Sequence, residues 1–297
     1  MTVLITALLP VSLIILIGFI AAHYLSLEQK TLSQLFVYIL SPALLVSSLY
    51  RTQLSTQSIA GLLGGFAMIS VILYGVAWAL GKILNLKPDI RKSLIATTLL
   101  PNTGNLGLSL NAFVYGETGL ERAIVCLIGA SILMFAITPA LLRGGGLNAG
   151  VKLTLKLPIF WAAIAGFALR LLAIKVPENI YLTVNQLGMA SISLGLLILG
   201  KQLAVTSPKI GFYEIAASSL RLLLAPLVAY GVGRALHLQG LDLQVLILQS
   251  SMPVAVSSLI MVTEFGGNPA LVARTVVVST LLSFLTLPLV INLSANF

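Results

Sequence analysis

The sequence predicts an all-α integral membrane protein with ten transmembrane helices, arranged as two inverted repeats of five. Hydrophobic residues make up 58% of the 297 residues and charged residues only 8%, whereas a soluble domain carries about 25% charged residues. The apolar runs are continuous rather than alternating, which argues against transmembrane β-strands. In addition, proline and glycine recur in the same order in the two halves of the chain.

The chain has room for roughly ten spans of about 20 residues each, joined by short loops. The predicted helices of the first half cover residues 3–25, 32–50, 58–84, 92–114 and 119–142. Those of the second half cover residues 155–174, 179–201, 210–236, 243–263 and 269–293. A Gly-rich joint follows the fifth helix, so residues 1–148 and 149–297 are the predicted repeats.

The internal repeat is indicated by matched positions. Pro10 and Gly18 recur 148 residues later as Pro158 and Gly166. Pro101 in the fourth helix stands 21 residues before Arg122, and Pro253 in the ninth helix stands 21 residues before Arg274. A duplicated unit with an odd number of helices must insert upside down, which gives the inverted repeat of many secondary transporters.

The basic residues between the spans predict the orientation. Eleven fall on one side of the membrane: Lys30, Lys82, Lys87, Arg91, Lys92, Arg143, Lys152, Lys156, Lys201, Lys209 and Arg274. Five fall on the other: Arg51, Arg122, Arg170, Lys175 and Arg234. Cytoplasmic loops are enriched in Lys and Arg, so we expect a multi-pass inner (plasma) membrane protein with both termini outside. The net charge of +9 is spread singly between apolar runs, which does not indicate nucleic-acid binding.

The most informative segment is residues 101–108, PNTGNLGL, in the middle of the fourth helix. Proline removes a backbone donor and clashes with the preceding turn, and glycine weakens a helix further. Pro101 lies about ten residues into its helix, roughly 15 Å deep. Residues 249–253, QSSMP, lie at a similar depth in the ninth helix. Two broken helices at matching positions predict a transporter's binding site.

The chemistry of these breaks favours an anion. Each break exposes the N-terminus of a half-helix, where unpaired amides and the helix dipole stabilise negative charge. We therefore expect a small organic anion, such as a mono- or dicarboxylate, as the substrate. The candidate substrate-binding residues are Pro101, Asn102, Thr103, Gly104, Asn105, Gln249, Ser250, Ser251 and Pro253. The alternative is that proline and glycine only kink these helices for packing.

Three charged residues are candidates for ion coupling. Arg221 lies inside the eighth helix, and an intramembrane charge is a functional candidate by default. Glu214 lies seven residues earlier, on roughly the same face, so a structural ion pair with Arg221 is the rival interpretation. Glu264 ends the ninth helix. An enzyme is not indicated, because the sequence offers no Ser–His pair, no paired carboxylates within a span and no phosphate loop. His23 and His237 are far apart, so we expect neither a metal nor a cofactor.

Four segments resemble the auxin efflux carrier family, which includes plant auxin carriers and bacterial organic-acid permeases. PNTGNLGLSLNAFVYG resembles the family's P-N-T-x-x-x-G-[LI]-P-L segment, and MPVAV with EFGGNPALVARTVVVSTLLSFLTLP resembles its ninth and tenth helices. SPALL at residues 41–45 is similar to its second helix, and RLLLAP at residues 221–226 to its eighth. The chain departs at Ser109, where the family usually has proline. Its middle loop is also short where plant members have a long hydrophilic one, so auxin is not implied.

The resemblance implies a fold shared with bile-acid and sodium–proton transporters. In that fold, helices one, two, six and seven form a scaffold, and the others form a moving, elevator-like transport domain. The fourth and ninth helices would cross at the substrate site, with Asn102 and Asn105 contacting a carboxylate beside Pro101 and with Pro253 opposite. The resemblance permits a homodimer through the scaffold helices. A sodium-coupled symporter of the bile-acid type and a non-transporting receptor remain the alternatives.

Overall fold

The computed structural model describes residues 2–143, 155, 157–207 and 209–295, and the regular elements in these ranges are helices. Helices are labelled by the predicted spans to which they correspond: TM1 is Thr2–Tyr24, TM2 is Gln29–Arg51 and TM3 is Thr56–Ile83. The predicted fourth span begins with Pro88–Leu99 (TM4a). After a break, one long helix, Thr103–Leu142, supplies residues 103–115 (TM4b) and, past the non-helical Gly116, residues 117–142 (TM5).

The second half has a similar arrangement. TM6 is Pro158–Leu171, TM7 is Glu178–Val205 and TM8 is Phe212–Ala235. The ninth span is divided into Gly240–Ser250 (TM9a) and Ser257–Phe265 (TM9b). TM10 is Pro269–Ser294. The predicted Gly-rich joint between the halves lies outside the described residues.

Among the described helices, six are long and apolar enough to cross a membrane: TM2, TM3, the TM4b–TM5 helix, TM7, TM8 and TM10. TM6 and residues Leu8–Tyr24 of TM1 are shorter apolar helices. The chain is therefore an all-α, multi-pass membrane protein, as predicted.

Sharp turns separate the fourth span from the fifth and the ninth from the tenth. Gly116 has φ +66°, and Gly266 and Gly267 have φ +91° and +142°. Because these values lie in the region that favours glycine, the chain can reverse direction there. TM10 then begins at Pro269, after Asn268 accepts a hydrogen bond from the Leu271 amide at 3.1 Å. Asn268 is thus the N-cap of TM10, and proline occupies the first helical position.

The helices pack in two groups. TM1 lies along TM7, and TM2 packs against both TM6 and TM7. In the other group, TM3 packs against TM4a, TM8 and the TM4b–TM5 helix, while TM8 also contacts TM9a and TM10. A large cluster of buried apolar side chains lies inside the second group.

One close contact recurs between the halves. Gly18 of TM1 lies against the backbone of Leu197 in TM7, and Gly166 of TM6 lies against Leu49 in TM2. A Cβ atom on either glycine would overlap its neighbour. Gly166 follows Gly18 by 148 residues, and Leu197 follows Leu49 by the same number. The sequence repeat therefore corresponds to a repeated helix–helix contact in which the two halves exchange roles.

Charged residues meet at two separate ends of the helix bundle. Those predicted to lie outside pair with one another or with nearby backbone: Arg51 with Glu178, Arg122 with Asp242 (2.5 Å), and Arg170 with the Leu54 carbonyl (2.9 Å). Those predicted to be cytoplasmic do likewise: Lys92 with the Phe265 carbonyl (3.3 Å), Arg274 with Glu214 (2.6 Å), and Lys201 with the Leu27 carbonyl. The grouping of these residues by side therefore agrees with the predicted topology.

The orientation itself stays a prediction, and labelling tests it. The lone cysteine, Cys126, is buried, so it should not react with the label in single-cysteine variants. A membrane-impermeant maleimide applied to intact cells should label Lys175→Cys but not Lys87→Cys, because the basic surplus lies on the Lys87 side. If only Lys87→Cys is labelled, the predicted orientation is wrong and the opposite one holds.

Candidate functional site

The two broken spans cross at their breaks. TM4 is interrupted between Leu99 and Thr103, and TM9 between Ser250 and Ser257. The two non-helical stretches run antiparallel, with Pro101 paired to Val254. The Asn102 amide donates to the Pro253 carbonyl, and the Ala255 amide donates to the Leu100 carbonyl, both at 2.8 Å. Each break thus supplies the backbone partners that the other lacks.

Irregular backbone at membrane depth requires such partners, because lipid offers none. A side chain of TM10 provides one more: Ser279 Oγ accepts a hydrogen bond from the Val254 amide at 3.1 Å. The crossing of TM4 and TM9 is therefore stabilised by hydrogen bonds between these two spans and by one from TM10.

Arg221 provides the remaining partners from TM8. Its side chain is buried, with 1% of its surface exposed. Nη1 donates to the Thr98 carbonyl at 2.7 Å, and Nε donates to the Met252 carbonyl at 3.2 Å. Nη2 donates to the Ser250 carbonyl. Thr98 lies near the end of TM4a and Ser250 is the last residue of TM9a, so one guanidinium joins the carbonyl ends of both half-helices.

The suggested Glu214–Arg221 ion pair is wrong. Glu214 is buried near the start of TM8 and pairs with Arg274 of TM10 at 2.6 Å. Arg221 lies in a π-helical turn, Leu220–Leu224, which changes the register that a spacing of seven assumes. The third candidate, Glu264, is exposed at the end of TM9b, away from the crossing.

A cavity of about 610 Å³ opens beside the crossing. Five predicted site residues line it: Pro101, Asn102, Thr103, Gly104 and Asn105. TM9 contributes Ala255 and Val256 from the end of its break, and Ser257 and Ile260 from TM9b. Gln249, Ser250, Ser251 and Pro253 precede these residues, and none of the four lines the cavity. Gln249 is fully buried instead, and its Nε2 donates to the Ala123 carbonyl at 3.3 Å.

Several polar atoms of the cavity wall lack partners. Asn102 is 96% buried, and its Nδ2 donor has no hydrogen-bond partner among the described residues. The same holds for Ser41 Oγ and Gln29 Oε1, both from TM2. A buried polar group without a partner is costly, and these three atoms belong to residues that line the cavity.

The remaining wall is largely apolar, and among the described residues it carries one cation, Lys30. Lys30 is exposed, as are Gln34, Tyr38 and Ile260 of the same wall. The larger apolar side chains of the wall include Phe36, Leu127, Met134, Phe135, Ile198 and Ile260. Three π-helical turns also contribute residues: Phe36–Leu40, Thr103–Leu108 and Leu133–Ile137. Such turns are frequent at functional sites.

The TM2 residues were not among the predicted site residues. A signal was available, because Gln29, Ser33, Val37 and Ser41 follow one another at intervals of four and thus share one helix face. Three of them are polar, and Ser41 interrupts the apolar stretch at residues 35–46.

Ser109 has a specific role where the family usually has proline. It is fully buried, and its Oγ lies within hydrogen-bonding distance of the Asn105 carbonyl (2.9 Å) and the Ile192 carbonyl of TM7 (3.0 Å). Proline could donate to neither. The departure therefore adds a polar contact between TM4b and TM7.

A multi-pass helical protein with two broken helices crossing beside a cavity has an arrangement found in membrane transporters. The sequence profile of the family described as membrane transport protein matches residues 3–152 and again residues 147–291. The chain belongs to this family, that of the auxin efflux carriers. The double match also indicates an internal repeat.

Similar curated proteins carry transporter names. An uncharacterized transporter of Methanocaldococcus jannaschii is 28% identical over 294 residues, covering 95% of this chain and 96% of that protein. One of Methanothermobacter thermautotrophicus is 29% identical over 289 residues, covering 95% of each. The uncharacterized transporter YfdV of Escherichia coli is 29% identical over 206 residues, covering 65% of each.

Proposed function

We propose that the chain is a secondary transporter, of the facilitator or efflux type, for organic anions that carry an apolar portion. The observation that carries this proposal is the unpartnered Asn102 Nδ2, buried in the cavity wall beside the half-helix that begins at Thr103. A donor in this position suits a carboxylate, which needs replacement hydrogen bonds when it leaves water. The helix N-terminus adds favourable electrostatics.

The charges of the wall support an anion over a cation. Lys30 is the charged residue among the described residues that line the cavity, and no carboxylate joins it there. The volume of about 610 Å³ falls within the range of pockets for drug-sized ligands. The apolar side chains around it favour a substrate larger and more apolar than a simple dicarboxylate.

We further propose that transport follows an elevator-like movement within a fold of ten spans and two inverted repeats. The packing supports a scaffold of TM1, TM2, TM6 and TM7, with TM3–TM5 and TM8–TM10 as the transport domain. At the end opposite Lys30, Thr52 after TM2 donates to Glu121 of TM5 at 3.0 Å. This contact, together with the exposed Lys30 beside the cavity on the predicted cytoplasmic side, supports an inward-facing state.

Uptake into proteoliposomes tests the proposal. Purified protein should give saturable uptake of labelled carboxylates, with affinity increasing with the apolar size of the substrate. Lys30→Gln should raise the half-saturation concentration, because it removes the positive charge at the cavity mouth. Lys87→Gln is the matched control, since Lys87 is exposed on the same predicted side but does not line the cavity. Absence of saturable anion flux in well-folded protein would overturn the proposal.

The same assay distinguishes the proposed uncoupled transport from the sodium-coupled alternative. With the substrate at equal concentration on both sides, an imposed sodium or pH gradient should not drive net accumulation. Uphill uptake in response to sodium would favour a symporter of the bile-acid type.

A further inference from the structure

We infer that the Arg221 guanidinium takes the place of a coupling cation at the crossing of TM4 and TM9. The inference rests on the proposed transport function and adds a physical reason for transport without sodium. It makes Arg221 a positioning residue, which acts on the breaks rather than on the substrate.

The acceptors of Arg221 are of the kind that bind coupling ions. Thr98 and Ser250 lie at the C-terminal ends of half-helices, where unpaired carbonyls carry partial negative charge. In broken-helix transporters, such carbonyls coordinate sodium. Here each of the three guanidinium nitrogens donates to one carbonyl, with Met252 as the third acceptor.

No carboxylate neutralises this arginine in the described part of the chain. The acidic residue nearest to it along TM8, Glu214, is engaged with Arg274. Arg221 forms no ion pair among the described residues. The carbonyl dipoles of the two broken helices therefore balance its charge, and a diffusible cation would meet both repulsion and occupied acceptors.

The geometry also requires arginine in particular. The guanidinium is a planar fork that can reach several acceptors in fixed directions, whereas an ammonium is a compact point charge. Because the acceptors belong to two different spans, the fork fixes TM4a and TM9a relative to each other. Their breaks then stay aligned beside the cavity while the transport domain moves as one body.

The test compares variants that separate charge from hydrogen bonding. Arg221→Lys keeps the positive charge, and Arg221→Gln keeps side-chain donors without the charge. Arg221→Ala leaves space for a diffusible ion. Arg234→Ala is the control, because it removes an exposed arginine from the same helix, TM8, without touching the crossing. Each purified variant is measured by thermal unfolding and by anion flux, in sodium chloride, in choline chloride, and with millimolar guanidinium chloride added to choline.

The parent should unfold at the same temperature in sodium and in choline, and its flux should not differ between them. Arg221→Lys should remain more stable than Arg221→Gln, whose flux should fall about tenfold or more, as expected for loss of one charge-assisted hydrogen bond. Guanidinium should raise the unfolding temperature of Arg221→Ala and partly restore its flux, while leaving Arg234→Ala unchanged.

Sodium stabilisation of the parent, or equal behaviour of Arg221→Lys and Arg221→Gln, would overturn the inference. So would an Arg221→Ala protein that folds and functions like the parent. If Arg221→Ala does not fold, the stability and flux of Arg221→Lys compared with those of Arg221→Gln decide whether the inference holds. If the parent moves no anion, the proposed transport function fails, while the unfolding temperatures still decide whether Arg221 acts as the cation of the crossing.

Discussion

Replacing Asn102 with aspartate is expected to abolish measurable anion binding while leaving the protein folded. The substitution keeps the shape of the side chain but replaces its buried donor with a negative charge beside the substrate carboxylate. Asn102→Ala should have a smaller effect, because it only removes the donor. A hydrogen bond to a charged group is worth roughly 1.5–3 kcal/mol, so affinity should fall by about tenfold to a hundredfold. Asn105→Ala should also weaken binding.

Calorimetry or ligand-dependent thermal shift on purified protein provides the measurement. Asn111→Ala is the matched control. Asn111 is a buried amide on the same helix whose Nδ2 donates to the Gly107 carbonyl at 2.7 Å, and it does not line the cavity. Its removal should affect stability but not affinity. If Asn102→Asp binds anions as well as Asn102→Ala does, the substrate is not an anion at this position.

Much of the fold could be predicted because apolar runs, and the glycine, proline and charged residues between them, indicate where helices begin and end. The predicted helix at residues 210–236 is Phe212–Ala235, and that at residues 269–293 is Pro269–Ser294. Their starts follow local chemistry, since Gly211 precedes TM8 and Pro269 occupies the first position of TM10. The break at residues 101–108 was predictable for a related reason, since Pro101 removes a donor wherever it lies in a helix.

The side of each break that faces the cavity was not predictable from spacing. The residues after a break form the N-terminus of a half-helix, and those before it form a carbonyl end. Asn102 and Asn105 follow Pro101 and line the cavity, whereas Gln249 and Ser250 precede Pro253. Ser250 instead offers its carbonyl to Arg221. The direction of the chain at each proline thus separates an anion-binding end from a cation-binding end.

The TM2 wall could not be located from the motifs alone. Ser41 and Gln29 become cavity residues because TM2 packs next to the crossing, a tertiary relation that local periodicity does not contain. The π-helical turn Phe36–Leu40 lies between them and changes the register of the helix. The alternative interpretation that Arg221 pairs with Glu214 also failed, because Glu214 pairs with Arg274 of TM10, a tertiary contact that spacing within TM8 does not contain.

Prolines at the crossing have a role that side-chain donors cannot replace. Proline in a helix interior costs about 3 kcal/mol or more relative to alanine. An alanine at residue 101 or 253 therefore favours a continuous helix across the break. Closing the helix at Pro101 would withdraw the Leu100 carbonyl and the Asn102 amide from their bonds to Ala255 and Pro253. The half-helix end beside the cavity would be lost with them.

Pro101→Ala and Pro253→Ala are accordingly expected to reduce anion flux by at least about tenfold, comparable to removing one charge-assisted hydrogen bond, although every polar side chain of the cavity remains. Flux in proteoliposomes and binding to the purified variants provide the measurements. Pro288→Ala is the matched control, because Pro288 lies inside the continuous helix TM10, away from the crossing. That variant should transport like the parent, since no break depends on it. If Pro101→Ala and Pro253→Ala also transport like the parent, the breaks are packing kinks and the anion site lies elsewhere.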